Sequence, residues 1–202
     1  MPTSVSRPRR GRPAAATREQ VLRAAMRRYL RGERIDVQAI AAELGLGRAT
    51  IYRWFGSRDG LIGAVLVRAA EGLLKQSRPA ARGRGAERLL DTLDRYNRGV
   101  AEAPGLRRFV DEEREAAVRI LTSGDGYFQP RLIALVTNLI EDEVRAGAYE
   151  PPVEPATLAY AIVRLGEAFI YNETATGMRG DIDRLREVQG LVLGIRPQPS
   201  SR

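Results

Sequence analysis

Apolar residues recur at three- and four-residue intervals through most of this 202-residue chain, and almost every such run is closed by a glycine. That interval keeps apolar side chains on one face of an α-helix, and glycine just past the last apolar residue marks the helix end. No stretch alternates at the two-residue period of a strand. The pattern restricts the chain to an all-α fold, and no internal repeat points to a solenoid.

The runs divide into about nine helices. The first starts at Thr17, which pairs with Gln20 as a capping box. It carries Val21, Leu22, Ala25, Tyr29 and Leu30 inward through about Arg31, before Gly32. Asp36 caps a short second helix with Val37, Ile40, Ala41 and Leu44 on its buried stripe. Gly45 ends it, and Leu46-Gly47 turns the chain into a third helix over residues 48–55. Gly56 breaks that helix. Ser57 then caps a fourth, with Asp59 in its first turn, ending near Gln76. Residues 77–85, SRPAARGRG, read as a linker. Further helices are expected at about 86–101, 106–121, 130–146, 155–175 and 181–193.

Charge separates the two ends of the chain. Residues 1–60 hold 13 arginines against 5 carboxylates, whereas residues 61–202 hold 20 basic and 20 acidic side chains. The whole net charge of +8 therefore lies in the first third, which suits a polyanionic partner for that part alone. The chain has no cysteine and no histidine, so thiolate catalysis, disulfides and imidazole general bases are excluded. Carboxylate clusters at 111–115 (DEERE) and 141–143 (EDE) lie on helices among arginines, without a nucleophile or a phosphate loop, and read as solvated faces rather than an active site. No cofactor or metal is expected. No apolar run reaches the roughly 18 residues of a membrane span, and the basic N-terminus lacks the apolar segment of a secretory signal. A cytoplasmic location, nucleoid-associated through DNA, is expected.

Residues 36–55 concentrate the functional signal. Ile51 and Phe55, one turn apart, point inward with Ile40 and Leu44. Arg48, Ala49, Tyr52 and Arg53 then point outward, and Trp54 falls at the edge. The stretch AIAAELGLGRATIYRWFGSRDGLIGAVL, residues 39–66, resembles the helix-turn-helix signature of TetR-type transcriptional regulators, and the resemblance extends over about residues 17–66. It implies that Thr50, Tyr52, Trp54 and Arg58 contact phosphates, and that Arg48, Ala49 and Arg53 approach base edges. Those roles fit the chemistry: arginine binds guanine bidentately and an alanine methyl suits a thymine methyl. Gly47 stands where Ser or Thr is commoner in the family, Ala49 where Gly is common, and Arg58 where Lys is usual.

The resemblance also implies a homodimer on a double-stranded DNA operator, and a divergent C-terminal helical domain that binds a small effector and dimerises, with no membrane partner. The expected organisation is a disordered basic arm (1–16), a three-helix DNA-binding domain (17–60), a connecting helix (57–76), a ligand-binding and dimerisation domain (61–195) and a disordered tail (196–202). In the arm, Arg10-Gly11-Arg12-Pro13 is similar to an AT-hook core. Arg10 and Arg12 then either enter an A·T minor groove or attract phosphate generally. A sequence-nonspecific architectural DNA binder is the alternative to a regulator.

The run from Pro155 carries three stripes. The small one, Ala159, Val163, Gly166 and Ile170, is assigned to a dimer interface with Leu185, Val188, Leu191 and Val192. The alternative is a helix central to one subunit. The polar one, Tyr160, Arg164, Glu167 and Tyr171, either lines an effector pocket or forms a solvated stripe. Phe109, Tyr127, Phe128 and Phe169 are offered as apolar pocket walls. RLGEAFIY, residues 164–171, with the closing helix resembles the C-terminal region of QsdR-type regulators, which implies a lactone or acyl compound as effector and carries no residue-by-residue transfer.

Overall fold

Capping chemistry fixes where the first helices begin. The computed structural model describes residues 16–124, 126–171 and 180–195. Thr17 Oγ1 accepts from the Gln20 backbone N–H at 3.3 Å while the Thr17 N–H donates to Gln20 Oε1 at 2.6 Å, opening α1 (Arg18–Leu30). Asp36 Oδ1 accepts from the Gln38 and Ala39 N–H groups at 2.7 and 3.2 Å, opening α2 (Val37–Leu44). These bonds hold the Asp36 carboxyl below its usual range. Gly45 adopts φ 64°, ψ 31°, a left-handed conformation that L side chains resist, and so turns the chain into α3 (Arg48–Phe55). Ser57 Oγ accepts from the Gly60 N–H at 3.0 Å, opening α4 (Arg58–Ala80). The rest is α5 (Ala86–Glu102), α6 (Pro104–Glu112), α7 (Arg114–Thr122), α8 (Gln129–Arg145), α9 (Pro155–Ile170) and α10 (Ile182–Val192). The described residues thus form ten helices with no strand, and none is long and apolar enough to cross a membrane.

Helix α4 is the central element. It packs against α1 and α3 at one end and against α5, α7 and α8 along the rest. One apolar core runs from Val21 and Ala25 in α1, through Leu61 and Val65, to Ile162 in α9 and Leu193 after α10. Phe169, Ile182 and Leu185 form a smaller satellite cluster.

The helix pattern departs from the sequence reading in four places. Leu30, expected inside, is 63% exposed, because Tyr29 occupies the inward phase set by Ala25 and the next residue is turned about 100° away. Helix α4 continues through residues 77–80, which composition assigned to a linker. Ser77 is buried there and Arg78 pairs with Asp142 of α8 at 2.5 Å, so tertiary contact overrides the local signal. Pro79 stands in the last turn, one residue before the helix ends. The expected helix over 106–121 is divided at Glu113 into α6 and α7, which gives ten helices rather than nine. Helix α9 ends at Ile170 rather than near Ala175, which lies outside the described residues. The basic arm and the C-terminal tail are outside them too.

Candidate nucleic-acid interface and interior cavity

Helix α3 is seated by Ile51, which is fully buried. Phe55 is half-buried with the Arg18 guanidinium 4.6 Å from its ring centre. Helical geometry then turns the remaining side chains away from the core. Arg48, Ala49, Tyr52 and Arg53 are exposed, Thr50 is half-buried, and Trp54 packs half-buried against the core. Among the described residues, Arg48 and Arg53 have no carboxylate partner. Nearby Arg27 and Arg28 share Glu43, at 2.6 and 2.7 Å, and Arg68 pairs with Glu19 at 2.8 Å. Both cations on α3 are therefore left available to a phosphate or a base edge. Arg10 and Arg12 lie outside the described residues.

Arg58 is placed otherwise than the sequence reading expects. Its Nε donates to the Ile35 carbonyl at 2.9 Å and Nη1 meets Glu113 Oε2 at 2.7 Å, so the side chain turns toward the α6–α7 junction. One of its nitrogens is buried with no partner. Glu113 also faces Arg108 at 3.4 Å and Arg34 at 3.8 Å. Burial pushes the Glu113 carboxyl up, but the hydrogen bond and charge of Arg58, with Arg34 and Arg108, outweigh it and leave the group below its usual 4.5. A carboxylate with a depressed native pKa contributes stability above its unfolded pKa and loses it as pH falls through the native one. Glu113→Gln is therefore expected to lose less stability than the parent chain between about pH 6 and about pH 3.5. Urea unfolding midpoints at both pH values check this.

Behind the helix-turn-helix lies a mostly apolar cavity. Its walls come from α1 (Tyr29), α4 (Leu66, Ala70), α5 (Tyr96, Asn97) and α9 (Glu167). Of the residues proposed from sequence, Phe128, Glu167 and Tyr171 line it. Five others do not. Phe109 is buried beside Arg58 and Glu113 in a separate narrow crevice, and Phe169 belongs to the satellite cluster. Tyr127 and Tyr160 are exposed, stacked under Arg131 and Arg164 at 4.2 and 5.3 Å. Arg164 stays at the surface, where Nη1 pairs with Glu167 Oε2 at 2.7 Å. The other Glu167 oxygen accepts from Gln129 Nε2 at 2.7 Å, so this buried carboxylate is fully partnered.

Sequence reasoning missed Tyr29, Tyr96, Asn97 and Gln189. Asn97 Nδ2 donates to Gln189 Oε1 at 3.0 Å, and Gln189 Nε2 donates to the Ile162 carbonyl at 3.3 Å. A signal existed: each amide interrupts an apolar stripe, Asn97 beside Leu93 and Gln189 one turn after Leu185.

The stripe assigned to a dimer interface also sits elsewhere. Ala159, Val163 and Leu185 are buried within the single chain, and Gly166 lines the cavity. In the single chain α9 packs against α5, α8 and α10. Ile170, Val188 and Val192 are half-buried, and Leu191 is 56% exposed.

An exposed, cationic second helix of a helix-turn-helix pair, joined through one long helix to a cavity-bearing bundle, is the architecture of a DNA-binding regulator. The model for tetracyclin repressor-like C-terminal domains matches residues 84–194, and that for bacterial regulatory proteins of the tetR family matches residues 33–65. The chain belongs to the TetR family of transcriptional regulators. Among solved structures it is similar to the transcriptional repressor QsdR of R. erythropolis, with 28% identity, a TM-score of 0.81, and coverage of 90% of this chain and 96% of that one. It shares its fold with AlkX of Dietzia sp. strain DQ12-45-1b, a TetR family repressor implicated in n-alkane biodegradation, at 21% identity and a TM-score of 0.63, covering 89% of this chain and 96% of the other. No curated protein sequence matches the chain.

Proposed function

We propose that this regulator is a homodimeric repressor that binds a palindromic operator and leaves it when a small, largely apolar effector enters the cavity. The carrying observation is that α4 both packs against α3 and walls the cavity through Leu66 and Ala70. Arg48, Ala49 and Arg53 read base edges, while Thr50, Tyr52 and Trp54 hold phosphates. Arg58 serves the Glu113 junction instead. A dimer would set two copies of α3 about 34–36 Å apart, one turn of DNA. The effector shifts that spacing only as far as its affinity differs between the two arrangements. The exposed Leu191, with Val188 and Val192, supports a dimer face on α10. The 28% identity to QsdR supports repression, and lactones or acyl compounds are the first effectors to try. The reading needs no catalytic step and places the protein in the cytoplasm on the chromosome.

Operator selection from random DNA, followed by effector challenge of the complex, tests the proposal. A palindrome should emerge, bound at least about 10³-fold more tightly than random sequence. Equal affinity for both would favour an architectural binder, and a monomeric mass at micromolar concentration by light scattering would remove the dimer.

A further inference from the structure

Along α1, Arg18 stands in helical phase with Leu22, Ala25 and Tyr29, which are buried. An arginine at that phase marks where the apolar stripe runs out, at the edge of α3. The Arg18 guanidinium lies 4.6 Å from the centre of the Phe55 ring. Phe55 is the last residue of α3, one turn beyond the exposed Tyr52. Arg18 itself is exposed. The carboxylate next to it in the chain, Glu19, is engaged elsewhere: its two oxygens accept from Arg68 of α4 at 3.0 and 2.8 Å. Among the described residues the Arg18 guanidinium has neither an ion pair nor a hydrogen bond. Arg23 of the same helix is also exposed and without a carboxylate partner among them, but it lies about 140° further round the helix, away from the buried stripe.

A guanidinium that rests on a ring touches it with its face and keeps the N–H groups in its plane free. Those groups match two phosphate oxygens at once. The ring also holds the side chain in place, so less rotamer freedom is lost when it binds. Beyond the C-terminal end of α3, Arg18 extends the unpaired charge of Arg48 and Arg53 sideways, off the face that meets base edges. On the proposal that α3 enters the major groove, we infer that Arg18, seated on Phe55, is a further DNA-contacting cation: it grips a backbone phosphate at the edge of the groove and so fixes how α3 lies there. Such a contact positions the helix and carries no sequence information. The competing role is structural, with the Arg18 stem serving only to cover the Phe55 ring.

Fluorescence anisotropy of the full chain with the selected operator and with random DNA, over a salt series, tests this with Arg18→Gln, Arg18→Lys and Arg23→Gln. Arg18→Gln should weaken both DNAs alike, by roughly 3- to 10-fold, and reduce the slope of log affinity against log salt by about 1 per bound chain. Its urea midpoint should match that of the parent. Arg18→Lys should keep the slope and most of the affinity, because the charge remains. Arg23→Gln removes the same charge from another face and should keep the slope. If Arg18→Gln and Arg18→Lys weaken binding equally and both lower the urea midpoint, Arg18 only covers Phe55 and the inference is overturned. Loss of operator binding alone overturns the phosphate contact in favour of base reading. A slope flattened equally by Arg23→Gln overturns it in favour of general charge. The Arg48→Ala, Arg53→Ala double variant is measured alongside. If that variant loses the operator and Arg18→Gln changes nothing, Arg18 alone is misassigned; if neither has any effect, the placement of α3 fails and this inference with it.

Discussion

Replacing Arg48 and Arg53 together by alanine is expected to weaken binding to the selected operator by roughly hundredfold or more, with folding unchanged. Both side chains are exposed and make no ion pair among the described residues, so their removal costs the folded chain almost nothing. Each bidentate arginine–guanine contact is worth about 1–3 kcal/mol, and the proposed homodimer would lose two for every substitution. Fluorescence anisotropy over a salt series separates the mechanisms. Loss of base reading shows as a collapse of the ratio between operator and random DNA, whereas loss of phosphate contacts alone lowers both affinities and flattens the salt dependence. An unchanged operator affinity would remove α3 as the reading helix.

Ile51→Ala is expected to act in the opposite way. Ile51 is fully buried and closes the α1–α2–α3 corner with Ile40, also fully buried. Truncating an isoleucine in such a place leaves a cavity and costs about 2–5 kcal/mol. The urea midpoint should fall accordingly, and operator affinity should fall with it because the helix has lost its seat. Tyr52→Ala, at a position 40% exposed, is the contrast. It should keep stability within about 0.5 kcal/mol while still weakening DNA binding. Equal destabilisation by the two changes would mean that the helix faces are assigned the wrong way round.

The local parts of this molecule were legible in its sequence because they are decided within a few residues. Thr17, Asp36, Gly45 and Ser57 act through atoms at most four positions away, and each behaves as expected. What the sequence hid is decided across the fold. Glu113 leaves the helical path in a segment that reads as continuous helix, and its partner Arg58 lies 55 positions earlier. Helical spacing showed that α9 is apolar on two faces, but not whether the second face meets another subunit or the chain's own α5, α8 and α10; the latter holds for Ala159 and Val163. The cavity was the least legible feature. Tyr29 and Tyr96 on its wall stand on different elements, and each alone looks like ordinary core.

The core that runs unbroken from Val21 to Leu193 also bears on how this regulator could be taken apart. Leu61, Ile62 and Val65 of α4 are buried partly under α1 and partly under the bundle. A cut after residue 60 would strip the reading head of the surface it rests on, and the remaining bundle would show that same surface to water. The helix-turn-helix and the bundle are therefore not interchangeable cartridges. Grafting this head onto another regulator's sensor would need α4 to travel with it, together with the facing residues of α5, α7 and α8.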